Sequence, residues 1–565
     1  MTSGMWQHGL NNGSHSRQTS STAVEDDSPT EPVTPISYTE DFDLPEISPI
    51  TARVIDDQLL RDFLPGLHKD ADLQMLKHSR HPSESPSSNT KEVDEERATL
   101  PQPAAVGFWH GALAQTRKDV ARKYSGTLLI LCVAVVGILS IYWGVLFDVK
   151  KNLHHATVAV VSFEGLPPYE AYTPIVGPFV RAAVEEEVAS RPDHLGYEFR
   201  DPAEFDNDPM KVRLAVFNEQ FWAAIIIHSN ATALLRQAVE QGNTTYDPRG
   251  AGMMIYNQAR DIESYNFYVF PDLSRLRFDI TTSFASIWSG SVLTNNSLDA
   301  ATYSQAPQAI SPGISFTMLN LRPFDPPSAI PTITIGLIYL IIIAFFSFTF
   351  FIPTHMKFVT PNPTKPHPPL KFYQLVIYRW CATITAYFFL SLSYSLVSLA
   401  FRIPFSHTPP LDIAVDGHWP PTESVLNANY LGHATFFIYW LLNFIGMAAL
   451  GLTCENMAMF LSALSPLPYS ALFLIWWVIT NVSTGFYAIE LASDFYKWGY
   501  AWPLRHIVQG SKTLVFGTRS ELGLNFGVLL AWVVVGTCLF PCACWVMRWK
   551  SMKDMKKAAE GQKGR

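Results

Sequence analysis

The sequence predicts a polytopic α-helical membrane protein with six transmembrane helices, arranged one plus five, and an extracytoplasmic α/β domain between helices 1 and 2. Three observations lead there. One hydrophobic run stands alone at residues 126–147, and five more crowd between residues 330 and 547. A stretch with mixed strand and helix patterning, residues 148–329, separates the first run from the rest. Each run holds about 20 mostly apolar residues, enough at 1.5 Å per residue to cross about 30 Å of hydrocarbon. This arrangement excludes a soluble globular enzyme.

Residues 1–105 read as a disordered cytoplasmic tail. Segments such as SRQTSSTAVEDDSPTEPVTP are rich in Ser, Thr, Pro and acid and carry too little apolar material for a core. Within it, residues 50–64 have the spacing of a short recognition helix, and Ser28-Pro29, Thr34-Pro35 and Ser85-Pro86 are candidate phosphorylation sites. The apolar run at 126–147 begins far from the N-terminus and is expected to stay in the membrane as a signal anchor. Arg117, Lys118, Arg122 and Lys123 precede it, and the tail at 548–565 opens with the basic RWKSMKDMKK. The Lys/Arg bias therefore places both termini in the cytoplasm, which six crossings require. The loop 492–523, with Lys497, Arg505, Lys512 and Arg519, votes against this orientation, as do Lys150 and Lys151.

On that topology the domain at 148–329 is extracytoplasmic. The sequons at Asn230, Asn243 and Asn295 all fall inside it, as glycosylation requires. HATVAVVSFEG reads as a strand leaving the membrane, VGPFVRAAVEEEVAS as a helix, and FWAAIIIHSNATALLRQAVEQG as a strand, a turn and an amphipathic helix with Asn230 or Thr232 as its cap. MMIYNQARD and YNFYVFPDL add two strand-like pieces, and the predominance of apolar runs predicts a two-layer sandwich. The domain has no cysteine, since all six of the chain lie in or beside spans, so its own core must hold it.

Composition and motifs narrow the function by exclusion. The net charge of −8 arises largely in the acidic tail, and no basic patch interleaved with aromatics suggests a nucleic-acid partner. GSKT at 510–513 lacks the spacing of a phosphate loop, and the adjacent His154-His155 would point to opposite faces of a strand. No HExxH or GxSxG occurs, so no catalytic residue, metal site or cofactor is expected and the chain is read as a non-enzyme.

The informative residues are polar groups at membrane depth, where ionisable side chains are costly and tend to face a bundle interior or a wet path. Glu490 and Asp494, four apart at the outer end of the fifth span, would share one helix face. Glu455 closes the fourth span beside Asn456, and Asn443 and Asn481 lie within spans. These five, Glu490, Asp494, Glu455, Asn443 and Asn481, are the candidate substrate path, with interfacial solvation as the bland alternative for the three acids. Ser391, Ser393, Ser395 and Ser398 make the third span polar on more than one side, the pattern of helix packing. Residues 504–515 are amphipathic enough to lie in the interface, with Trp498 and Trp502 at headgroup depth.

The one-plus-five plan, with VAVVSFEG (158–165), FWAAIIIHSNATALLRQAVEQG (221–242) and YDPRGAGMMIYNQARD (246–261), resembles the fungal nitrosoguanidine-resistance family. That family is similar to the bacterial phage-infection (YhgE/Pip) proteins and, more distantly, to ABC-type-2 permeases. The resemblance implies transport-like function: tolerance to toxic small molecules through export of an amphiphile or altered lipid distribution. Its implied partners are membrane lipids, an amphiphilic small molecule and, by analogy with the permeases, a second copy in a homodimer. The expected location is the plasma membrane, with the endoplasmic reticulum and vacuole as alternatives. A non-transporting scaffold that recruits cytoplasmic partners through its tail is the competing reading.

Overall fold

The computed structural model describes residues 105–295, 299–359, 369–405, 431–464 and 469–563. The tail expectations, including the short helix and the phosphorylation sites, lie outside them. Contacts divide the chain into two units, residues 1–110 and 111–565. In the first, the described residues 105–110 make a turn closed by His110 N–H donating to the Gly107 carbonyl at 2.9 Å. All that follows concerns the second.

The membrane part is helical because long unbroken apolar runs can satisfy their backbone groups only internally. It comprises α1 (Ala114–Phe147), α6 (Ile335–Met356), α7 (Phe372–Ala400), α8 (Thr435–Leu464), α9 (Tyr469–Gly485), α10 (Pro503–Phe516) and α11 (Leu522–Lys563). Among the described residues, five helical segments are long and apolar enough to cross a membrane; α9, at 17 residues, falls just short. The apolar window of α8 is 61% buried and that of α1 only 6%, so α8 is the central helix and α1 a peripheral one. Close approach to α8 depends on its glycines: a Cβ at Gly446 would stand 2.5 Å from the Ile507 Cδ1 of α10.

Between α1 and α6 lies a five-stranded sheet in the order β2-β1-β3-β4-β5. The strands are β1 (Thr157–Ser162), β2 (Gly196–Arg200), β3 (Ala223–Ile227), β4 (Gly252–Tyr256) and β5 (Phe316–Asn320). β1 runs parallel to both β2 and β3, with Val158 opposite Tyr197 and Ala223; β4 is antiparallel to β3 and parallel to β5. The principal helices are α2 (Val176–Ser190), α3 (Pro209–Phe217), α4 (Ala231–Gln241) and α5 (Phe270–Thr294).

Alternate strand residues go to opposite faces. Val158, Val160, Ala223, Ile225 and Ile227 pack with α2, α4 and α5, while Ala159, Val161, Ala224 and Ile226 pack with Val212, Ala215 and Val216 of α3. Burial on both faces makes the central strands continuous apolar runs, and the expected two-layer sandwich is corrected to three layers.

YNFYVFPDL is a second correction: it is helical, a π-turn at 265–269 running into α5. Tyr265, Val269, Leu273, Leu276, Ile280 and Phe284 are buried at helical spacing, a period longer than the short window read as a strand. Asp261 starts the helix by accepting from Ser264 N–H at 2.8 Å.

The sheet domain docks on the bundle through α10. Lys512 Nζ donates to the Arg260 carbonyl at 2.7 Å and stands 3.9 Å from Asp261. Arg322 Nε donates to the Gly517 carbonyl at 2.9 Å, and Arg519 reaches the Asn218 carbonyl at 3.2 Å. The segment expected at the interface is therefore buried inside the protein, with Leu504, Ile507, Val508, Val515 and Phe516 in the bundle core. Trp502 packs against Trp477 and Trp532, each at 5.8 Å between ring centroids.

On the sheet's helical face, burial pushes the Asp272 carboxyl up to about 6 and raises Glu187 as well, with Arg191 pulling both the other way. A carboxyl raised in the folded state stabilises most below its unfolded pKa and loses that contribution as pH rises through the folded value. Asp272→Asn should therefore erase a stability decline of order 2 kcal/mol between about pH 4 and pH 6.5. Thermal unfolding of wild type and variant across that range checks it; parallel pH profiles would refute it.

Candidate functional site

α7 carries a polar seam. Arg379, Thr383, Tyr387, Ser391, Ser395 and Ser398 recur at spacings of four and three, and all are buried. That spacing puts them on one helix face, turned toward α8 and extending about 28 Å along the axis. Ser393, off the period, is exposed and bonds its own helix at Phe389. The sequence reading of polarity on several sides thus resolves into one buried face.

α8 answers residue by residue. The Arg379 guanidinium donates to the Glu455 carboxylate, and Thr383 Oγ1 donates to its other oxygen at 2.9 Å. Further along, Asn443 Nδ2 donates to Ser395 Oγ at 3.0 Å, and Ser398 Oγ lies 3.3 Å from both Tyr439 Oη and Thr332 Oγ1. Between these pairs, Tyr387 Oη is buried beside Gly451 without a hydrogen-bond partner among the described residues, as is Asn443 Oδ1. The seam therefore retains polar capacity deep in the bundle.

Arg379 is fully buried and Glu455 is 2% exposed. The guanidinium also sits 3.1 Å from Met547 Sδ and 5.6 Å from the Phe348 ring centroid. Guanidinium is the more weakly hydrated cation and offers several fixed donors, which suits it to a buried pair better than Lys. Removing either partner strands a charge in a low-dielectric interior.

A cleft of about 560 Å³ leads to this pair. Phe348, Phe351 and His355 of α6 form one wall, and Tyr378, Cys381, Ala382, Ala386 and Phe389 of α7 form the other. Glu455 and Thr383 lie on its lining. His355 Nδ1 is 3.2 Å from Tyr378 Oη, a polar contact between the walls. The lining is apolar except at its Ser, Thr, Tyr, His and carboxylate groups, as expected of a pocket for an amphiphile.

The sequence-selected path residues separate into two groups. Glu455 and Asn443 meet on the seam, Glu455 in mid-helix because α8 continues to Leu464. Asn481 serves the backbone instead. Its Nδ2 donates to the Trp477 carbonyl at 2.8 Å, while Oδ1 accepts from Leu504 N–H at 3.2 Å and so caps the start of α10. Glu490 and Asp494 do not share a helix face, which corrects that expectation. α9 ends at Gly485, and the two carboxylates fall in separate 3₁₀ segments, Ile489–Leu491 and Asp494–Ala501. Gly485 meets Leu504 there, and the apolar residues beyond it pack away from the α9 axis, Ile489, Ala492 and Tyr496 clustering with Val145 of α1. Glu490 lies 3.6 Å from Arg505, and the well-exposed Asp494 pairs with Lys497 at 2.8 Å.

Arg379 is the functional candidate that sequence reasoning missed. Its signal was present: an arginine eight residues into a long apolar helix, four before Thr383. Among the sequons, Asn243 and Asn295 are exposed, while Asn230 begins α4 with its Oδ1 buried. Among the described residues, no group of three or more His, Cys, Asp or Glu side chains is arranged to hold a metal.

A family model described as protein of unknown function (DUF3533) matches residues 127–538, a stretch holding α6 to α10, the sheet and the whole seam. The chain belongs to the DUF3533 family. A curated relative, the uncharacterized endoplasmic reticulum membrane protein YJR015W of Saccharomyces cerevisiae, is 25% identical over 499 residues, covering 84% of this chain and 88% of the relative. No solved structure matches the chain. This DUF3533 protein is an integral membrane protein, on the apolar helices and the relative together.

Glu455→Ala should destabilise the DUF3533 bundle by roughly 3–5 kcal/mol, whereas the double change Arg379→Met with Glu455→Leu should recover most of that loss. Thermal unfolding in a fixed detergent reads the difference. A double variant no more stable than the single one would contradict the stranded-charge account.

Proposed function

We propose that this chain admits an amphiphile from the bilayer into the cleft between α6 and α7 and exchanges its polar end with the Arg379–Glu455–Thr383 cluster. The observation that carries the reading is a carboxylate, Glu455, on the lining of a largely apolar cleft, with its ion-pair partner Arg379 buried behind it. Such a site holds a hydrocarbon body on aromatic walls and a polar head on charged groups, as an exporter of amphiphiles or a protein that redistributes lipids requires. Tolerance to toxic small molecules is the cellular role this activity would serve, in keeping with the resemblance to the nitrosoguanidine-resistance family.

The proposed topology has six crossings, α1, α6, α7, α8, α9 and α11, with both termini cytoplasmic and the α/β domain outside. Its support is mutual contact. Asn152 and His155, just after α1, bond the carbonyls of Leu491 and Glu490, just after α9. The ends of α1 and α9, the sheet domain and α10 thus share one side, and the short α9 must begin near the other. The exposed sequons Asn243 and Asn295 suit an outer, glycosylated domain. The endoplasmic reticulum is the proposed membrane, following the relative's description.

Reconstitution with a fluorescent short-chain lipid tests the activity. Protein-dependent movement across vesicles should fall at least about tenfold on filling the cleft with Ala386→Trp, and similarly with Glu455→Gln. No protein-dependent movement, or movement indifferent to Ala386→Trp, would overturn the transport reading. Cys381, exposed on the cleft wall, should react with a membrane-permeant maleimide, and a bound amphiphile should slow that reaction. Labelling unchanged by saturating amphiphile would count against occupancy of the cleft.

A further inference from the structure

A second cavity, of about 580 Å³, lies in the sheet domain at the carboxyl ends of β1 and β3. It stands on the far side of the sheet from α1, about 20 Å along the six residues of β1. The chain steps outward from β1 to β2 across one face through α2, then returns across the other through α3 to β3 on the opposite flank of β1. In open α/β sheets, ligands bind outside the carboxyl ends of strands where the strand order turns back. That placement is independent of the intramembrane cleft.

The walls combine apolar and polar groups. Phe163, Leu166 and Met210 supply the apolar surface; Tyr169, Asp208, Asn230 and His228, whose Nδ1 lies 3.1 Å from the Gly250 carbonyl, supply polar groups. Three helices start around the cavity, and their positive ends are already engaged. The Glu164 carboxylate accepts from Gly177 N–H at the start of α2 and from Thr232 N–H, at 3.1 Å, at the start of α4. Asp208 Oδ1 accepts from Met210 N–H at 2.8 Å at the start of α3. Among the described residues no Lys or Arg lines the cavity, and Lys211 nearby is paired with Asp206. An anionic ligand would therefore meet the Asp208 carboxylate on the lining, with the Glu164 carboxylate at the adjoining helix starts.

Two acceptors remain for a ligand. Among the described residues no donor reaches Asp208 Oδ2, and Asn230 Oδ1 is buried with no hydrogen-bond partner. A buried acceptor without a donor is costly, and a ligand N–H would satisfy it. We infer that this cavity binds a small primary ammonium compound, its apolar body against Phe163, Leu166 and Met210 and its ammonium shared between Asp208 and Asn230. Asn230 also begins a sequon, and a glycan there would fill the cavity; the inference thus requires Asn230 to be unmodified in the mature protein.

The test uses the purified full-length protein in nanodiscs of neutral lipid, titrated by saturation-transfer NMR with 2-phenylethylamine, n-hexylamine and cadaverine. At least one amine should bind saturably, with 3-phenylpropionate not binding and 2-phenylethanol binding more weakly than its amine counterpart. Asp208→Asn keeps an amide oxygen to cap α3 but removes the charge, and should weaken amine binding about ten- to a hundredfold. Peptide mass analysis should find Asn230 unglycosylated. Failure of all three amines to bind up to about 10 mM, carboxylate binding as tight as amine binding, binding unchanged in a folded Asp208→Asn variant, or a glycan on Asn230 would each overturn the inference.

Discussion

A charge inside hydrocarbon must be matched or it will not stay, and the bundle is organised around one such match. Arg379 on α7 and Glu455 on the central helix α8 neutralise each other where water cannot. Each spends its remaining capacity locally: Thr383 on the carboxylate, Met547 and the Phe348 ring on the guanidinium. Because α8 packs against α6, α7, α9, α10 and α11, this pair fixes the azimuth of α7 against the hub of the bundle. The Asn443–Ser395 and Tyr439–Ser398 contacts extend the same alignment toward the other end of both helices.

That alignment creates the cleft. With α7 turned so that its polar seam faces α8, the flank bearing Cys381, Ala382 and Ala386 is left to face α6, where small side chains leave room between Phe348, Phe351 and Phe389. α10 links this bundle to the sheet domain, since one face packs on α8 while Lys512 binds the backbone at Arg260. Burial lowers the pKa of Lys512, and Asp261 counters that shift. A displacement of α10 would therefore be felt both in the bundle and at the foot of the sheet domain.

Much of the plan was legible because it follows from periodicity and length. The apolar runs located the long membrane helices, and FWAAIII followed by NATALLRQAVEQ located β3 and α4, whose period changes from continuous burial to helical spacing. The strands at 196–200 and 316–320 were missed because neither is a continuous apolar run: the first is half-buried along its length, and the second buries only Phe316 and Leu319. YNFYVFPDL misled because aromatic residues favour strands in isolation, and only the following residues reveal the helical period. The candidate site was half legible. A carboxylate in an apolar run flagged Glu455, but its partner lies 76 positions away in sequence on another helix. Nothing local marks which of several intramembrane polar residues will converge. Glu490 and Asp494 gave the same signal as Glu455, yet the helix that would have paired them ends at Gly485.

The most direct test of the central claim is site mapping with a photoactivatable amphiphile in nanodiscs, read by mass spectrometry of the cross-linked peptides. The cleft account predicts label concentrated on the facing walls of α6 and α7, in the peptides holding Phe348, Phe351, Cys381 and Ala386, and competed away by unlabelled amphiphile. Label spread evenly over the lipid-facing helices, with α1 marked as strongly as α6 and α7 and no competition, would contradict it.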